Sequence, residues 1–328
     1  MENNKYFIGI DIGGTKITIA LIGEKGEIIY KENLQTRENL DKNIASENII
    51  NTCKKIKNNF SSKNILGIGI GACGIVLYEK GNIKFSPNIG WENFEIVKNL
   101  EMALGLKVIL DNDANAAAWG EFFLNYRETF RNVICITLGT GVGGGIILNK
   151  KLYRGSSGTA GEIGHITYIH NGKKCSCGNN GCIERYIGTK GIIEFAEEML
   201  VKIKNKENPS YEKFSDSMLF DIQKKEKILM PKFIQEAGFK GDKLALFIWE
   251  EFGKILGILI ASMINIFNPD AIHITGGISH AEKLFIESLK KEVEKRAFSV
   301  PRETAKIIFS EERQDMGVIG AGLLLMEN

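Results

Sequence analysis

The amino-acid sequence predicts an α/β protein built from two related lobes, and three observations carry that prediction. Runs of strand-like residues alternate along the chain with segments of helical spacing. A strand, a glycine turn and a second strand occur twice, as Ile8-Gly-Ile-Asp-Ile-Gly-Gly-Thr15 and as Ile134-Cys-Ile-Thr-Leu-Gly-Thr-Gly141. The length, 328 residues with 44% hydrophobic and 25% charged, suffices for a sizeable core divided between two lobes.

Taken in order, Tyr6 to Asp11, Lys16 to Ile22 and Ile28 to Asn33 read as a meander of strands, separated by a glycine turn and by Lys25-Gly26. Asp41 to Phe60 carries Ile44, Ile49, Ile50 and Ile56 at helical spacing, and Ile65 to Gly71 is a buried strand. Lys107 to Leu110 is a short strand, Asp113 to Tyr126 an alanine-rich helix, and Arg131 to Leu138 a strand again. In the repeat, Asp11 falls opposite Thr137 and Gly13 opposite Gly139, and each turn leads into a second apolar strand, Ile17 to Ile22 or Gly145 to Leu148. The stretch Lys202 to Lys232, rich in Lys, Glu, Asn and Ser, reads as a mobile or helical insertion with a solvated face. Leu244 to Phe267 is apolar but includes Glu250, Glu251 and Lys254, which marks an amphipathic helix serving core or interface rather than a membrane span. Ala271 to Ile274, the Gly276-Gly277 turn, Ala281 to Arg296, Lys306 to Phe309 and Gly317 to Met326 complete the chain as strand, turn, helix, strand and helix.

A net charge of +2 gives no basic field to attract nucleic acid. The polar start, Met1 to Lys5, has no export-signal pattern, so a cytoplasmic protein with no membrane partner is expected. Of six cysteines, Cys175, Cys177 and Cys182 crowd together while Cys53, Cys73 and Cys135 are scattered among apolar residues. That distribution suggests a metal site, not a disulfide framework.

Two glycine turns suit phosphate, because glycine permits positive φ and close approach of several amides to one anion. Asp11-Ile-Gly-Gly-Thr-Lys16 offers the amides of Gly13 and Gly14, the Thr15 hydroxyl, the Lys16 charge and a strand-end carboxylate for Mg²⁺ through water. Leu138 to Gly145 offers Gly139, Thr140 and Gly141. Face to face, the two turns would hold a polyphosphate in a cleft between lobes. The dinucleotide pattern matches at Gly69, Gly71, Gly74 and at Gly139, Gly141, Gly144, but strand-like residues follow each match where that fingerprint needs a helix. No P-loop string occurs.

Asp113 lies where a strand gives way to a helix, as a helix N-cap, a catalytic base, or both. An ionised aspartate of ordinary basicity would suffice to orient a hydroxyl in a loose phosphoryl-transfer transition state. His165, Cys175, Cys177 and Cys182 form a tetrahedral zinc set with no open position, helped by glycines at 178 and 181 that let the chain fold back. His170 competes as fourth ligand on spacing alone, and His165 is preferred. Glu162 and Glu184 flank the cluster as acceptors for sugar hydroxyls. Ser86-Pro-Asn88 followed by Gly90-Trp91 adds an amide and an aromatic ring suited to a polar ring ligand.

Together Asp11-Ile-Gly-Gly-Thr15, Asn112-Asp113, Gly161-Glu-Ile-Gly-His165, Cys175-x-Cys-Gly-x-x-Gly-Cys-x-Glu184 and Thr275-Gly-Gly277 resemble the ROK family of repressors and sugar kinases, over nearly the whole chain. The resemblance is strongest to its bacterial glucokinases. It implies the actin-like, ribonuclease H-like ATPase duplication: a smaller lobe of residues 1–112 with a C-terminal helix at about 312–328 packed back on it, and a larger lobe of 113–311 carrying the zinc site. It implies ATP with Mg²⁺, Asp113 as base toward a sugar 6-hydroxyl, and sugar contacts from Asn88, Asn112, Asp113, Glu162, His165 and Glu184. It implies structural zinc on the four ligands above, an adenosine-side turn at Gly276 and Gly277, a homodimer and a role in carbohydrate metabolism. Cys73 stands where many members have proline, which leaves the sugar less certain than the reaction. Glucose is expected, with N-acetylmannosamine, N-acetylglucosamine or fructose as alternatives. A sugar-responsive repressor is disfavoured because the first turn begins at Asp11, with no room ahead of it for a helix-turn-helix, and because Asp113 is present.

Overall fold

A computed structural model of the protein describes residues 4–86, 88–310 and 315–327. Strands Lys5–Ile12 (β1), Lys16–Gly23 (β2) and Ile28–Gln35 (β3) precede helix Lys42–Asn59 (α1), which Asp41 caps by accepting from the Asn43 and Ile44 amides at 2.7 and 3.2 Å. Asn64–Ala72 (β4), Ile75–Leu77 (β5), Asn82–Ser86 (β6), Trp91–Phe94 (β7), Ile96–Leu104 (α2), Lys107–Asn112 (β8), Asp113–Asn125 (α3), Val133–Leu138 (β9), Val142–Leu148 (β10) and Lys151–Leu152 (β11) follow. The remainder is mostly helical: Glu184–Ile187 (α4), Thr189–Lys204 (α5), Leu219–Glu226 (α6), Pro231–Phe239 (α7) and Lys243–Phe267 (α8), then Ala271–Thr275 (β12), Glu282–Arg296 (α9), Ser299–Thr304 (α10), Lys306–Phe309 (β13) and Met316–Leu323 (α11).

One sheet has the order β3-β2-β1-β4-β8 and another the order β11-β10-β9-β12-β13. The two orders are the same: antiparallel hairpin strands at one edge, then the strand that precedes a glycine turn, then strands added through crossovers. In the first, β1, β4 and β8 run parallel, which requires the intervening helices α1 and α2 as crossovers. The duplication read from two short segments is thus a duplication of sheet topology. The first false dinucleotide match is followed by strand β5 and the second ends within strand β10, and no helix begins at either turn.

By packing, residues 4–133, 144–161 and 315–327 form one compact unit and residues 134–143 and 162–310 the other. Helix α3, placed by the sequence at the head of the larger lobe, therefore belongs to the first unit. Its small face explains why: a Cβ on Gly71 of β4 would come 2.9 Å from the Ala116 Cβ, and one on Gly120 would come 2.8 Å from Gly320 of α11. Only a glycine- and alanine-lined seam lets α3, α11 and the sheet approach this closely. Helix α11 packs on α3, β1 and β4, in the place expected for the C-terminal helix; residues 312–314 and 328 of that expected element lie outside the described residues, as do residues 1–3 of the polar start.

In the first unit the core joins Ile8, Ile10, Ile17, Ile19 and Leu21 of the sheet to Ile49, Cys53 and Ile56 of α1. Each such side chain contributes about 1.5–3 kcal/mol by burial. The insertion takes the helical form of the sequence reading and adds a buried side to it. Its 3-10 turn, α6 and the link after α6 bury Phe214, Leu219 and Leu229 respectively, and Ser217 Oγ donates at 2.9 Å to Asp242, which caps α8. Its lysines are the solvated side of a packed helical segment. No described helix is long and apolar enough to cross a membrane.

Candidate active site

In the first unit the parallel register sets the C-terminal ends of three strands in a row: Asp11 pairs with Gly71, and Gly71 with Asp111. Beyond β8 come Asn112 and Asp113. Asn112, not Asp113, caps α3: its Oδ1 accepts from the amides of Ala114 at 2.8 Å and Asn115 at 3.4 Å, and its Nδ2 donates to the Gly74 carbonyl at 3.2 Å. The capping role read for Asp113 is therefore corrected. Strand β8 runs two residues past Leu110, so the cap falls one residue earlier than Asp113. Asp113 is the first helical residue and accepts from the Ala114 amide at 2.9 Å.

Its surroundings also act on its basicity. Burial pushes the Asp113 carboxyl above the usual aspartate range, although the bonds from Ala114 and Asn112 pull the other way. Asp11 is raised from 3.8 to about 6, first by burial and then by the like charge of Asp113, with Lys16 opposing. Gly317, at the start of α11, leaves room for the Asp11 carboxylate; a Cβ there would come 2.7 Å from Oδ2. The glycine turn is closed by the Gly13 amide donating to the Lys16 carbonyl at 3.0 Å, while Thr36 Oγ1 donates to the Gly13 carbonyl at 2.9 Å. Gly14, Thr15 and Lys16 stay exposed.

Gly13, Gly14, Gly139 and Gly141 are not among the positive-φ glycines; space rather than handedness favours glycine at 13, 14 and 141, while a Cβ on Gly139 would meet no neighbour. A Cβ on Gly14 would meet the Asn88 Cβ at 3.2 Å, which places exposed Asn88 beside the first turn; Pro87 lies outside the described residues. Trp91 is not a platform for a ligand. It is 1% exposed, donates from Nε1 to the Leu40 carbonyl at 2.9 Å and packs edge-on against Phe94. The Cys73 thiol is 3.3 Å from Ser86 Oγ; burial pushes its pKa up, and the Asp113 and Asp11 charges add to the effect. The departure at Cys73 thus adjoins both carboxylates.

In the second unit, the Gly139 amide donates to the Gly141 carbonyl at 3.0 Å, and Thr189 binds the Gly139 carbonyl through its amide at 3.0 Å and its hydroxyl at 2.9 Å. Glu184 Oε2 accepts from the Val142 amide at 3.0 Å, and a Cβ on Gly141 would collide with that oxygen. Sequence reading gave Glu184 only a sugar contact; the structure also ties it to the second turn. Gly276 has φ 96° and its missing side chain makes way for the Leu138 carbonyl, whereas Gly277 faces open space. A cavity of about 440 Å³ is lined by Thr140, Lys174, Cys175, Ser176, Glu184, Arg185 and Lys190.

The ligand atoms of His165, Cys175, Cys177 and Cys182 all lie within 4.8 Å of one another, and His170 is outside this group. His165 Nδ1 is 3.6 Å from Cys175 Sγ, and Cys177 Sγ is 3.5 Å from Cys182 Sγ. The edge of a zinc–thiolate tetrahedron is about 3.8 Å, given bonds of about 2.3 Å. The loop closes through positive-φ Gly178 and Gly181, at 95° and 77°. The sulfurs differ in acidity. Cys175, despite burial, falls to about 7 through bonds from the Cys177 amide and thiol, whereas burial and the neighbouring sulfurs push Cys182 up to about 12. His165 Nε2 lies 3.9 Å from the exposed Glu162 carboxylate.

Residues 7–328 match the ROK family. The chain belongs to that family. The glucokinase of Halalkalibacterium halodurans is 35% identical over 99% of this chain and 96% of its own length. The xylose repressor of Caldicellulosiruptor bescii is 31% identical over 95% of this chain and 76% of its own. Among solved structures, a ROK family glucokinase from Streptomyces griseus in complex with glucose and AMPPNP is 31% identical with a TM-score of 0.72, over 97% and 98% of the two chains. The fold is the actin-like ATPase duplication of ROK sugar kinases, in agreement with the repeated sheet order.

Proposed function

We propose that this chain is an ATP-dependent hexose kinase, a phosphotransferase with an alcohol acceptor, and that it phosphorylates glucose at the 6-hydroxyl. The observation that carries the reading is the half-buried Asp113 carboxyl at the first turn of α3, desolvated by its surroundings and close enough to a second carboxylate, Asp11, for its charge to raise Asp11. A carboxylate raised by burial accepts a proton from an alcohol more readily than an exposed one, and phosphoryl transfer asks little more of the protein than positioning and charge stabilisation.

In this reading Asp113 receives the hydroxyl proton, and Asn88, the second amide proton of Asn112, Glu162, His165 Nε2 and Glu184 bind sugar hydroxyls. Gly13, Gly14, Thr15, Lys16, Gly139, Thr140 and Gly141 bind the phosphates, and Gly276 and Gly277 the adenosine side. Asp11 would hold Mg²⁺, which screens phosphate charge; a carboxylate already raised to about 6 by burial and a like charge fits a cation partner. Zinc would be held by His165 Nδ1, Cys175, Cys177 and Cys182 in a closed structural site, and the tight spacing of those atoms supports it. A homodimer and a cytoplasmic location complete the reading.

Turnover in an ADP-coupled assay tests it, with a panel of glucose, fructose, N-acetylglucosamine and N-acetylmannosamine ranked by kcat/KM. Glucose turnover lost in Asp113→Asn supports the assignment; equal turnover in the two proteins removes Asp113 as base. The likeness to xylose repressors supports a second reading, a sugar-responsive regulator. Sugar binding without turnover of any hexose would favour it.

A further inference from the structure

Asp111, the residue before the Asn112-Asp113 pair, is 1% exposed. Its Oδ1 accepts from the Asn112 amide at 2.8 Å and from Asn115 Nδ2 at 2.9 Å, so one carboxylate oxygen grips both ends of the first turn of α3. Its Oδ2 accepts from Arg154 Nε at 2.7 Å. The same guanidinium donates from Nη1 to Glu327 Oε1 at 3.1 Å and from Nη2 to Glu327 Oε2, while the Leu152 amide donates to Glu327 Oε1 at 2.8 Å. The guanidinium carbon lies 4.1 Å from the ring centre of Tyr78, just after β5. Three distant stretches of the first unit meet at one cation: the end of β8, the turn after β5 and the C-terminal Glu327.

The guanidinium is the one side chain suited to this place. Its planar fork serves two carboxylates along different edges while its face covers an aromatic ring, which a lysine ammonium cannot do. Removing it would leave Asp111 buried without a counter-charge, and a carboxylate in that state takes a proton or turns toward water. Either response loosens the Oδ1 contacts to Asn112 and Asn115. Asn112 in turn caps α3 and binds the Gly74 carbonyl, so a shift at Asp111 passes directly to the residue next to Asp113.

We infer that Arg154 is a positioning residue for Asp113, acting through Asp111 and locked in place by Glu327. The inference rests on the kinase reading for its effect on turnover, because Asp113 is the base only there. The hydrogen bonds and ring contact of the Arg154 side chain go to Asp111, Glu327 and Tyr78, none of them assigned to sugar or nucleotide, so its loss acts on chemistry rather than on sugar binding.

The test compares Arg154→Leu, Arg154→Lys and Glu327→Gln in the full chain by steady-state kinetics and amide hydrogen exchange. Misplacement of a reacting group by about 1 Å costs up to about 100-fold in rate. Arg154→Leu is expected to lower kcat by about 10- to 100-fold while sugar KM stays within about threefold, and Glu327→Gln to lower kcat by less than about fivefold. Arg154→Lys should rescue part of the loss by restoring charge without the fork. Exchange at the amides of residues 112–115 should be least accelerated in Glu327→Gln, more in Arg154→Lys and most in Arg154→Leu, with β1 to β3 unchanged. An unchanged kcat per folded molecule in Arg154→Leu, or a KM rise that accounts for the whole loss, overturns the inference while leaving the kinase reading intact. If Arg154→Leu does not fold, wild-type kcat together with wild-type exchange in the other two variants overturns it. If the wild-type protein turns over no hexose, the kinase reading falls, and the exchange data alone decide: unchanged protection at 112–115 in Arg154→Lys ends the inference, and faster exchange confined there sustains it.

Discussion

Replacing Asp11 by asparagine should make the ligand-free protein more stable at neutral pH while impairing turnover. The Asp11 carboxyl is raised from 3.8 to about 6 in the fold by burial and by Asp113. A raised carboxylate pKa means that the fold penalises the ionised form. The penalty is fully present above the folded value, and it is relieved as pH falls through about 6 toward the unfolded value of 3.8. With about 1.4 kcal/mol for each pH unit of displacement, the penalty comes to about 3 kcal/mol at pH 7.5 and about 1 kcal/mol at pH 4.5. Asparagine keeps the shape and carries no charge, so Asp11→Asn should gain up to about 3 kcal/mol at pH 7.5 and about 2 kcal/mol less at pH 4.5. Urea unfolding at the two pH values, without nucleotide or Mg²⁺, measures the difference. A gain of the same size at both, or a loss at pH 7.5, would show that Asp11 is not held ionised against the fold, and the proposed cation role would lose its physical basis.

Asp113→Asn should lower kcat by about 10²- to 10⁴-fold with little change in sugar KM, read in the coupled assay. Because burial raises the Asp113 pKa and the base must be ionised, wild-type kcat should fall on the acid side at a pH above that at which an exposed aspartate titrates; a flat kcat down to pH 4 would contradict the assignment. Cys177→Ser, or exhaustive chelation, should lower Tm and raise sugar KM together, and metal analysis of the wild-type protein should find about one zinc per chain. Gly141→Ala should drive the Glu184 carboxylate off the Val142 amide, where it now sits at 3.0 Å, at a cost of about 1.5–3 kcal/mol visible as a lower unfolding midpoint. A structure of that variant with Glu184 unmoved would contradict the collision argument.

The strands and the duplication were legible because the signals are local: two glycine turns at strand ends, runs of apolar residues on either side of them, and an alanine-rich helix after β8. The cluster of His165, Cys175, Cys177 and Cys182 was legible for the same reason, its cysteines being close in sequence. What was not legible depends on distance or on a one-residue boundary. Asn112 and Asp113 are both good caps, and only the length of β8 decides between them. Trp91 beside a glycine looks like a ligand platform until the Leu40 carbonyl claims its Nε1. The apolar residues of the insertion, Phe214, Leu219 and Leu229, are diluted by lysines and show their burial only when α5 to α8 are assembled. The pairing of Arg154 with Asp111 spans 43 residues and that of Glu184 with Val142 spans 42, beyond any periodicity argument.

The two sheets share one strand order, yet the chemistry of their glycine turns has diverged in a way the fold itself explains. At the end of β1 the first turn carries Asp11 and Lys16, an ionisable pair whose carboxylate is held at a cost. At the matching place on β9 the second turn has Thr137, and its carboxylate is supplied instead by Glu184, bound to the Val142 amide 42 residues upstream of it. A second desolvated strand-end aspartate would have repeated the penalty that Asp11 already imposes, whereas Glu184, two residues past Cys182, adds a carboxylate held by a backbone amide. Duplication therefore accounts for the frame, and the departures from it, Asp11 against Thr137 and Lys16 against the Glu184-bound amide, mark where the two halves took on different work.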